Sequence, residues 1–215
     1  MSSVSEITVL LEDSDISQDY LVQRFSDWHV LHLPLLKNSL KNQNLFILTS
    51  TTALPEVSPI AQVAKRQDLL RALFVRVNVA PTLIPLMWKK AKMRSFEKVF
   101  FYEDSDIPNR VLSAWDVGAQ EQLIASATLI EDNLLVTDCA LKTWEIPFNS
   151  LPALAAIPRE NRAKFEIDED GSYLYWPTED IHLDMESFRL SLDKKIQNKL
   201  REETAIYDNR FGAAL

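Results

Sequence analysis

Three short, continuous runs of apolar residues in the first half of the chain most constrain its fold. They read EITVLLE at residues 6–12, NLFILTS at 44–50 and EKVFFYE at 97–103. Runs of this length predict buried β-strands, and residues with helical spacing follow two of them, at 17–28 and 106–115. Strands that alternate with helices predict a small α/β domain over residues 1–125.

A further helix is predicted at residues 58–73, SPIAQVAKRQDLLRAL. Ser58 has the hydroxyl group that the N-cap position prefers. Pro59 would then occupy the first helical position, where a missing N–H leaves no hydrogen bond unmade. We therefore expect this helix to begin at Ser58.

The sequence pattern changes after residue 125. Residues 121–148 alternate and turn as in an antiparallel meander, with a hairpin tip at Glu131-Asp132-Asn133. From residue 184, apolar residues recur at helical spacing. The expected fold class is α+β. An N-terminal α/β layer precedes a mostly antiparallel α+β domain at 126–190, and a C-terminal helix and tail follow at 191–215.

A series of short motifs in the second half carries a family resemblance. Their order is Ile146-Pro147, Leu151-Pro152, Pro158-Arg159-Glu160-Asn161-Arg162, Gly171 and Trp176-Pro177. With this order and spacing, residues 134–190 resemble the domain-of-unknown-function 2442 family. Some members of that family continue, through a sequence like YDNRFGAAL at residues 207–215, into a helix-turn-helix that would bind DNA, and we expect this chain to lack that helix-turn-helix. The resemblance therefore implies a role in small regulatory modules without direct DNA binding.

Charge, glycine and cysteine content exclude several classes of function. The net charge of -8 disfavours nucleic-acid binding and docking to an anionic membrane. Gly118, Gly171 and Gly212 are too scattered for a phosphate-binding loop. The single cysteine, Cys139, excludes internal disulfides and lies in an apolar run typical of the core. We expect a cytoplasmic protein, because the sequence shows no leader or membrane-spanning stretch. We expect no cofactor, because the sequence shows neither a phosphate-binding loop nor the spacing of a metal site.

The pentapeptide Glu-Asp-Ser-Asp-Ile occurs twice, at 12–16 and 103–107, each time after a predicted strand. Asp and Ser side chains at such turns accept hydrogen bonds from the first N–H groups of a helix, and we favour this interpretation. The alternative is a divalent-metal hydrolase of the nuclease or phosphatase type. Its ligands would be Asp13, Asp15, Asp104 and Asp106, brought together if the two strands are parallel neighbours.

The opening ITVLLEDSDISQDYL also looks like the start of a phosphoacceptor receiver domain. In that fold an aspartate that accepts phosphate ends a later strand. Here the strand NLFILTST at 44–51 ends in Thr and Ser instead. A working receiver is therefore not expected.

Two clusters of residues are candidates for contact with a protein partner. The first contains Trp88, Lys89, Lys90, Lys92 and Arg94, and the second contains Tyr173, Tyr175 and Trp176. Exposed Tyr and Trp side chains are frequent anchors of interfaces. We expect a non-enzymatic accessory, assembly or regulatory factor that binds another protein. A homodimer and a transcriptional regulator that acts with a DNA-binding partner stay open as alternatives.

Overall fold

The computed structural model describes residues 7–11, 29–32, 44–93, 96, 98–102 and 106–193. The chain divides into two compact units, residues 1–105 and residues 106–215. The sequence pattern predicts this division further along the chain, near residue 125.

A five-stranded parallel sheet forms the first unit. Its strands are β1 (Ile7–Leu11), β2 (His29–His32), β3 (Asn44–Ser50), β4 (Leu70–Arg76) and β5 (Val99–Tyr102). Their order is β2-β1-β3-β4-β5, which is the order of flavodoxin-like doubly wound folds, including receiver domains. The side chains of the central strands β3 and β4 are buried on both faces, which explains the continuous apolar run of β3 and the apolar residues 72–75 of β4.

The first described helix, α1 (Leu54–Arg66), starts four residues earlier than expected. Pro55 lies in its first turn, where its fixed φ favours a helix start, and Pro59 lies inside the helix. Ser58 is buried, and its hydroxyl donates a hydrogen bond to the carbonyl of Ala91 at 2.5 Å. The prediction of a helix start at Ser58 is therefore wrong.

The same helix also ends earlier than expected, so that residues 70–73 belong to β4. Asp68 takes a left-handed conformation with φ of 55°, and the N–H of Leu69 bonds back to the carbonyl of Ala64. Helices more often end in this way at glycine. Because the helix ends here at an aspartate, the sequence carries no clear stop signal. The predicted helix therefore wrongly includes the first residues of β4.

One face of this sheet packs against α1 and the segment that follows α2 (Ile84–Lys90). The buried cluster contains Leu45, Ile47, Leu73 and Val75 of the sheet, Leu54, Val57, Ala61 and Ala64 of α1, and Ala91 and Met93. A 3-10 turn, Pro81–Leu83, leads directly into α2. The predicted N-terminal α/β layer is confirmed.

In the second unit, the fold is antiparallel α+β, as predicted. It contains α3 (Asp106–Asp116), β6 (Ile124–Ile130), β7 (Asn133–Asp138), β8 (Thr143–Pro147), α4 (Pro152–Ala155), β9 (Glu166–Ile167), β10 (Leu174–Trp176), β11 (Ile181–Leu183) and α5 (Met185–Leu192). The two sheets have the orders β6-β7-β8 and β11-β10-β9. Since α3 packs on β6, it belongs to this unit. None of the helices in the described ranges has the length and apolar content needed to cross a bilayer.

Trp176 lies at the centre of the core of the second unit. Its side chain is fully buried and meets the rings of Phe165 and Phe148 at centroid distances of 5.5 and 6.5 Å. The indole N–H donates to the carbonyl of Arg162 at 3.2 Å, so the one polar atom of the ring is satisfied.

Gly171 lies where the chain approaches the backbone of β6. Its carbonyl accepts a hydrogen bond from the N–H of Ile124 at 2.7 Å, and its φ is 84°. A Cβ atom at this position would lie 2.3 Å from the carbonyl oxygen of Ile124. Only glycine allows both this conformation and this approach.

Asp138, at the end of β7, is a buried carboxylate with three partners. It accepts hydrogen bonds from the N–H of Lys142 at 2.9 Å and from the indole of Trp144 at 3.1 Å. The guanidinium of Arg189 on α5 lies 3.5 Å from the same carboxylate, whose side chain is 2% exposed. This charge therefore links β7, the turn into β8, and α5.

We predict that Gly171→Ala destabilises the protein by more than about 2 kcal/mol, because a left-handed alanine and a backbone clash add together. Gly118→Ala is the matched control. Gly118 also has a positive φ, of 70°, but an added Cβ meets nothing within 4 Å. The Gly118→Ala variant should lower the free energy of unfolding by about 1 kcal/mol. Urea denaturation followed by tryptophan fluorescence measures both values, and equal losses would contradict the close approach.

We predict that Asp138→Ala lowers the free energy of unfolding by about 3 kcal/mol, because two N–H groups lose their acceptor and Arg189 loses its carboxylate partner. Asp132→Ala serves as the control, since Asp132 pairs with Arg159 and Arg162 but its side chain is 58% exposed. That variant should cost less than about 1 kcal/mol. The comparison is made by urea denaturation, and the same small loss in both variants would show that the buried network is not needed.

Candidate interaction surfaces

Three packed rings lie on the outer side of the sheet β11-β10-β9. The ring of His182 lies between those of Tyr173 and Tyr175, at centroid distances of 4.9 and 4.2 Å. Side chains alternate along residues 173–176, so Leu174 and Trp176 enter the core while the two tyrosines stay half-buried. Antiparallel pairing places Tyr175 opposite His182. We call Tyr173, Tyr175 and His182 the aromatic face.

The segment that carries the aromatic face is rich in carboxylates. Between Lys164 and Arg189 the sequence has no Lys or Arg and eight acidic residues: Glu166, Asp168, Glu169, Asp170, Glu179, Asp180, Asp184 and Glu186. Glu166 pairs with Tyr175 across β9 and β10, and Asp180 lies 3.5 Å from the imidazole of His182. The aromatic face therefore lies in a negative field that favours cationic groups.

Hydrogen bonds hold two of these carboxylates in place. Asp168 accepts a hydrogen bond from the hydroxyl of Tyr173, which raises the pKa of that tyrosine. Asp170 accepts from the hydroxyl and the N–H of Ser172, at 2.5 and 2.9 Å, and these bonds lower the pKa of Asp170. Asp170 thus stays charged at neutral pH.

Of the aromatic residues that the sequence indicated for partner contact, Trp176 does not lie on this surface. It is buried because the alternation along β10 turns it inward. The third ring of the surface is His182 instead, although the sequence pattern does not single it out as a partner-binding residue. The signal that identifies it is the pairing of β10 with β11, a register that the sequence alone does not determine.

The basic cluster of the first unit lies on α2 and just after it. Lys89, Lys90 and Lys92 are exposed. Trp88 is half-buried, and its ring lies 5.6 Å from that of Phe101 on β5. Arg94 lies outside the described residues. The lysines and the tryptophan thus occupy different sides of this short segment.

The two acidic pentapeptides follow strands that are not neighbours. Both β1 and β5 end at the same edge of the parallel sheet, but β3 and β4 lie between them. At about 4.8 Å per strand, β1 and β5 are roughly 14 Å apart. Asp13, Asp15 and Asp104 lie outside the described residues, and Asp106 begins α3. The metal site assumed that the two strands are neighbours, which they are not. The site itself stays a prediction, because three of its four carboxylates lie outside the described residues.

Hydroxyl and amide groups occupy the position at the end of β3 where a receiver has its phosphoacceptor aspartate. The hydroxyl of Thr51 donates to the side-chain carbonyl of Asn78 at 2.5 Å, and the amide of Asn78 donates to the hydroxyl of Thr52 at 3.0 Å. Since no carboxylate lies in this position, aspartyl phosphate cannot form there. Within the described ranges, no three His, Cys, Asp or Glu side chains are placed to hold a metal ion.

The thiol of Cys139 is buried, as its apolar surroundings predicted. Burial raises its pKa to about 12, against the opposing effect of the Arg110 guanidinium. Because the thiolate is the reactive form, this thiol is not activated as a nucleophile.

Comparison with known proteins matches part of the chain to a family. The model of the family described as a protein of unknown function (DUF2442) matches residues 124–189, from the first residue of β6 into α5. This match confirms the resemblance of the second half, and the matched segment contains the whole aromatic face. No curated protein and no solved structure matches the chain.

We predict that Cys139 in the native protein reacts with iodoacetamide at pH 8.5 at least about tenfold more slowly than in urea-unfolded protein. Mass spectrometry of timed samples gives both rates. A Val117→Cys variant is the control, since Val117 is 72% exposed. Native Cys139 reacting as fast as the added cysteine would contradict its burial.

Proposed function

We propose that this protein is a non-enzymatic accessory factor that binds another protein through the aromatic face of its second unit. The observation that carries this proposal is the group of three packed rings, Tyr173, Tyr175 and His182, on the outer side of a sheet. The two other side chains of β10, Leu174 and Trp176, are fully buried, so they fill the core while the three rings lie outside it. Surface tyrosines contribute large contact area at interfaces.

The surrounding charge supports a partner with a basic segment. Eight carboxylates and no Lys or Arg lie between residues 164 and 189. Acidic groups around a contact area attract a basic partner and set its orientation. Arginine and lysine side chains also pack favourably over tyrosine rings. Cationic side chains seated on the aromatic face would use both effects.

The role of such binding is regulation or assembly, in line with the family resemblance of the second unit. A cytoplasmic location is part of this proposal. The lone, buried cysteine supports it, because proteins of oxidising compartments more often carry disulfides.

The test uses the full chain, purified by an affinity tag from native cells. The variant Tyr175→Ala/His182→Ala removes two rings from the face. We expect the amount of co-purified partner to fall by at least about thirtyfold, which corresponds to about 2 kcal/mol, the loss typical of an interface hot spot. The variant Glu169→Lys/Asp170→Lys should also weaken recovery, because it reverses the charge beside the rings.

Val117→Ala serves as the matched control, since Val117 is an exposed residue of the same unit that lies outside the aromatic face. Thermal melting confirms that each variant stays folded. A stoichiometric partner that co-purifies equally with wild type and with the two-ring variant would contradict the proposed surface. Recovery of free protein alone would contradict the proposed function.

A further inference from the structure

A short helix of the first unit has apolar side chains that the fold does not bury. Four of the seven residues of α2 are large and apolar, namely Ile84, Leu86, Met87 and Trp88, yet none of its residues is buried. Leu86 is 47% exposed, and Leu83 in the preceding turn is 44% exposed. A surface helix normally buries its apolar stripe, so these residues need another explanation.

Leu83, Leu86 and Lys90 form a stripe along the outer side of the helix. Their spacing of three and then four residues places them on one face. The side chain of Trp88 instead meets Phe101 on β5 at 5.6 Å. The stripe is therefore turned away from the sheet, and it ends in lysine.

The charge of this region is opposite to that of the whole chain. Residues 44–102 contain nine Lys and Arg but three Asp and Glu. Since α1 and α2 lead into neighbouring parallel strands, their basic C-terminal residues lie towards the same edge of the sheet: Lys65, Arg66, Lys89 and Lys90. A depression of about 170 Å³ near that edge is lined by Lys65, Asp68, Leu70, Phe96 and Lys98.

We infer that Leu83, Leu86, Lys89 and Lys90, named here the α2 surface, form the docking site for an acidic amphipathic segment of a partner protein. The partner's apolar residues cover the two leucines, and its carboxylates lie against the lysines. Leucine side chains have no aromatic face on which nucleic-acid bases stack, so the apolar stripe favours a protein segment over a single-stranded nucleic acid. This inference does not depend on the aromatic face, which needs a partner of opposite charge.

A photo-crosslinking amino acid in place of Leu86, in the full chain expressed in native cells, tests the inference. We expect a crosslink to a peptide of another protein with more Asp and Glu than Lys and Arg and apolar residues three or four apart. The control position is Val63, which is exposed on α1 of the same unit. In the presence of Lys89→Glu/Lys90→Glu, the yield at Leu86 should fall by at least about tenfold, because like charges then face each other.

The crosslinked segment, made as a synthetic peptide, then gives the affinity directly. Its Kd for the full chain should rise by at least about tenfold in Lys89→Glu/Lys90→Glu. It should stay unchanged in Lys164→Glu, which alters an exposed lysine of the second unit. Affinity should also fall as salt is added.

Four results would overturn the inference. They are a yield at Leu86 no higher than at Val63, a crosslink to nucleic acid, a crosslink to a basic peptide, and a crosslink to the acidic face of a second copy of this chain. Loss of binding in Tyr175→Ala/His182→Ala concerns the other surface, so failure of one proposal is distinguishable from failure of the other.

Discussion

The second unit depends on one close approach between two backbones, at Gly171 and Ile124. No side chain fits between them, and the hydrogen bond of 2.7 Å joins the meander to the chain that enters β10. This contact fixes β10 against the meander, so Leu174 and Trp176 enter the common core. By alternation, Tyr173 and Tyr175 must then lie on the other side. The position of the tyrosines on the outer side of the sheet thus follows from the packing of Leu174 and Trp176 in the core.

The sequence predicts those elements whose signal is local. Strand β3, helix α3 and the antiparallel meander have the expected positions, because apolar runs and alternation reflect burial directly. The predicted start of α1 is wrong, since Ser58 resembles a cap but bonds to Ala91 in the core. The first residues of β4 are predicted as helix, because the helix ends at Asp68 without the glycine that would mark its end. His182 joins the aromatic face only through strand pairing, which depends on register between distant residues.

Net charge of the whole chain describes neither unit well. Residues 1–105 contain twelve Lys and Arg and eleven Asp and Glu, whereas residues 106–215 contain eleven and twenty. All of the acidic excess thus lies in the second unit, because the first unit has one more basic than acidic residue. Charge therefore disfavours anionic partners for that unit and not for the α2 surface. Surfaces of opposite sign on separate units are suited to binding two different partners.

The burial of Cys139 has a consequence for how this protein can be controlled. It is the single sulfhydryl group of the chain, and it lies within the core with its proton held tightly. Mild oxidants attack exposed thiolates, and Cys139 is neither exposed nor a thiolate. A mixed disulfide with glutathione therefore cannot form at Cys139 without unfolding. The folded protein therefore offers no thiol for redox control, and any switch that acts on it must use another group.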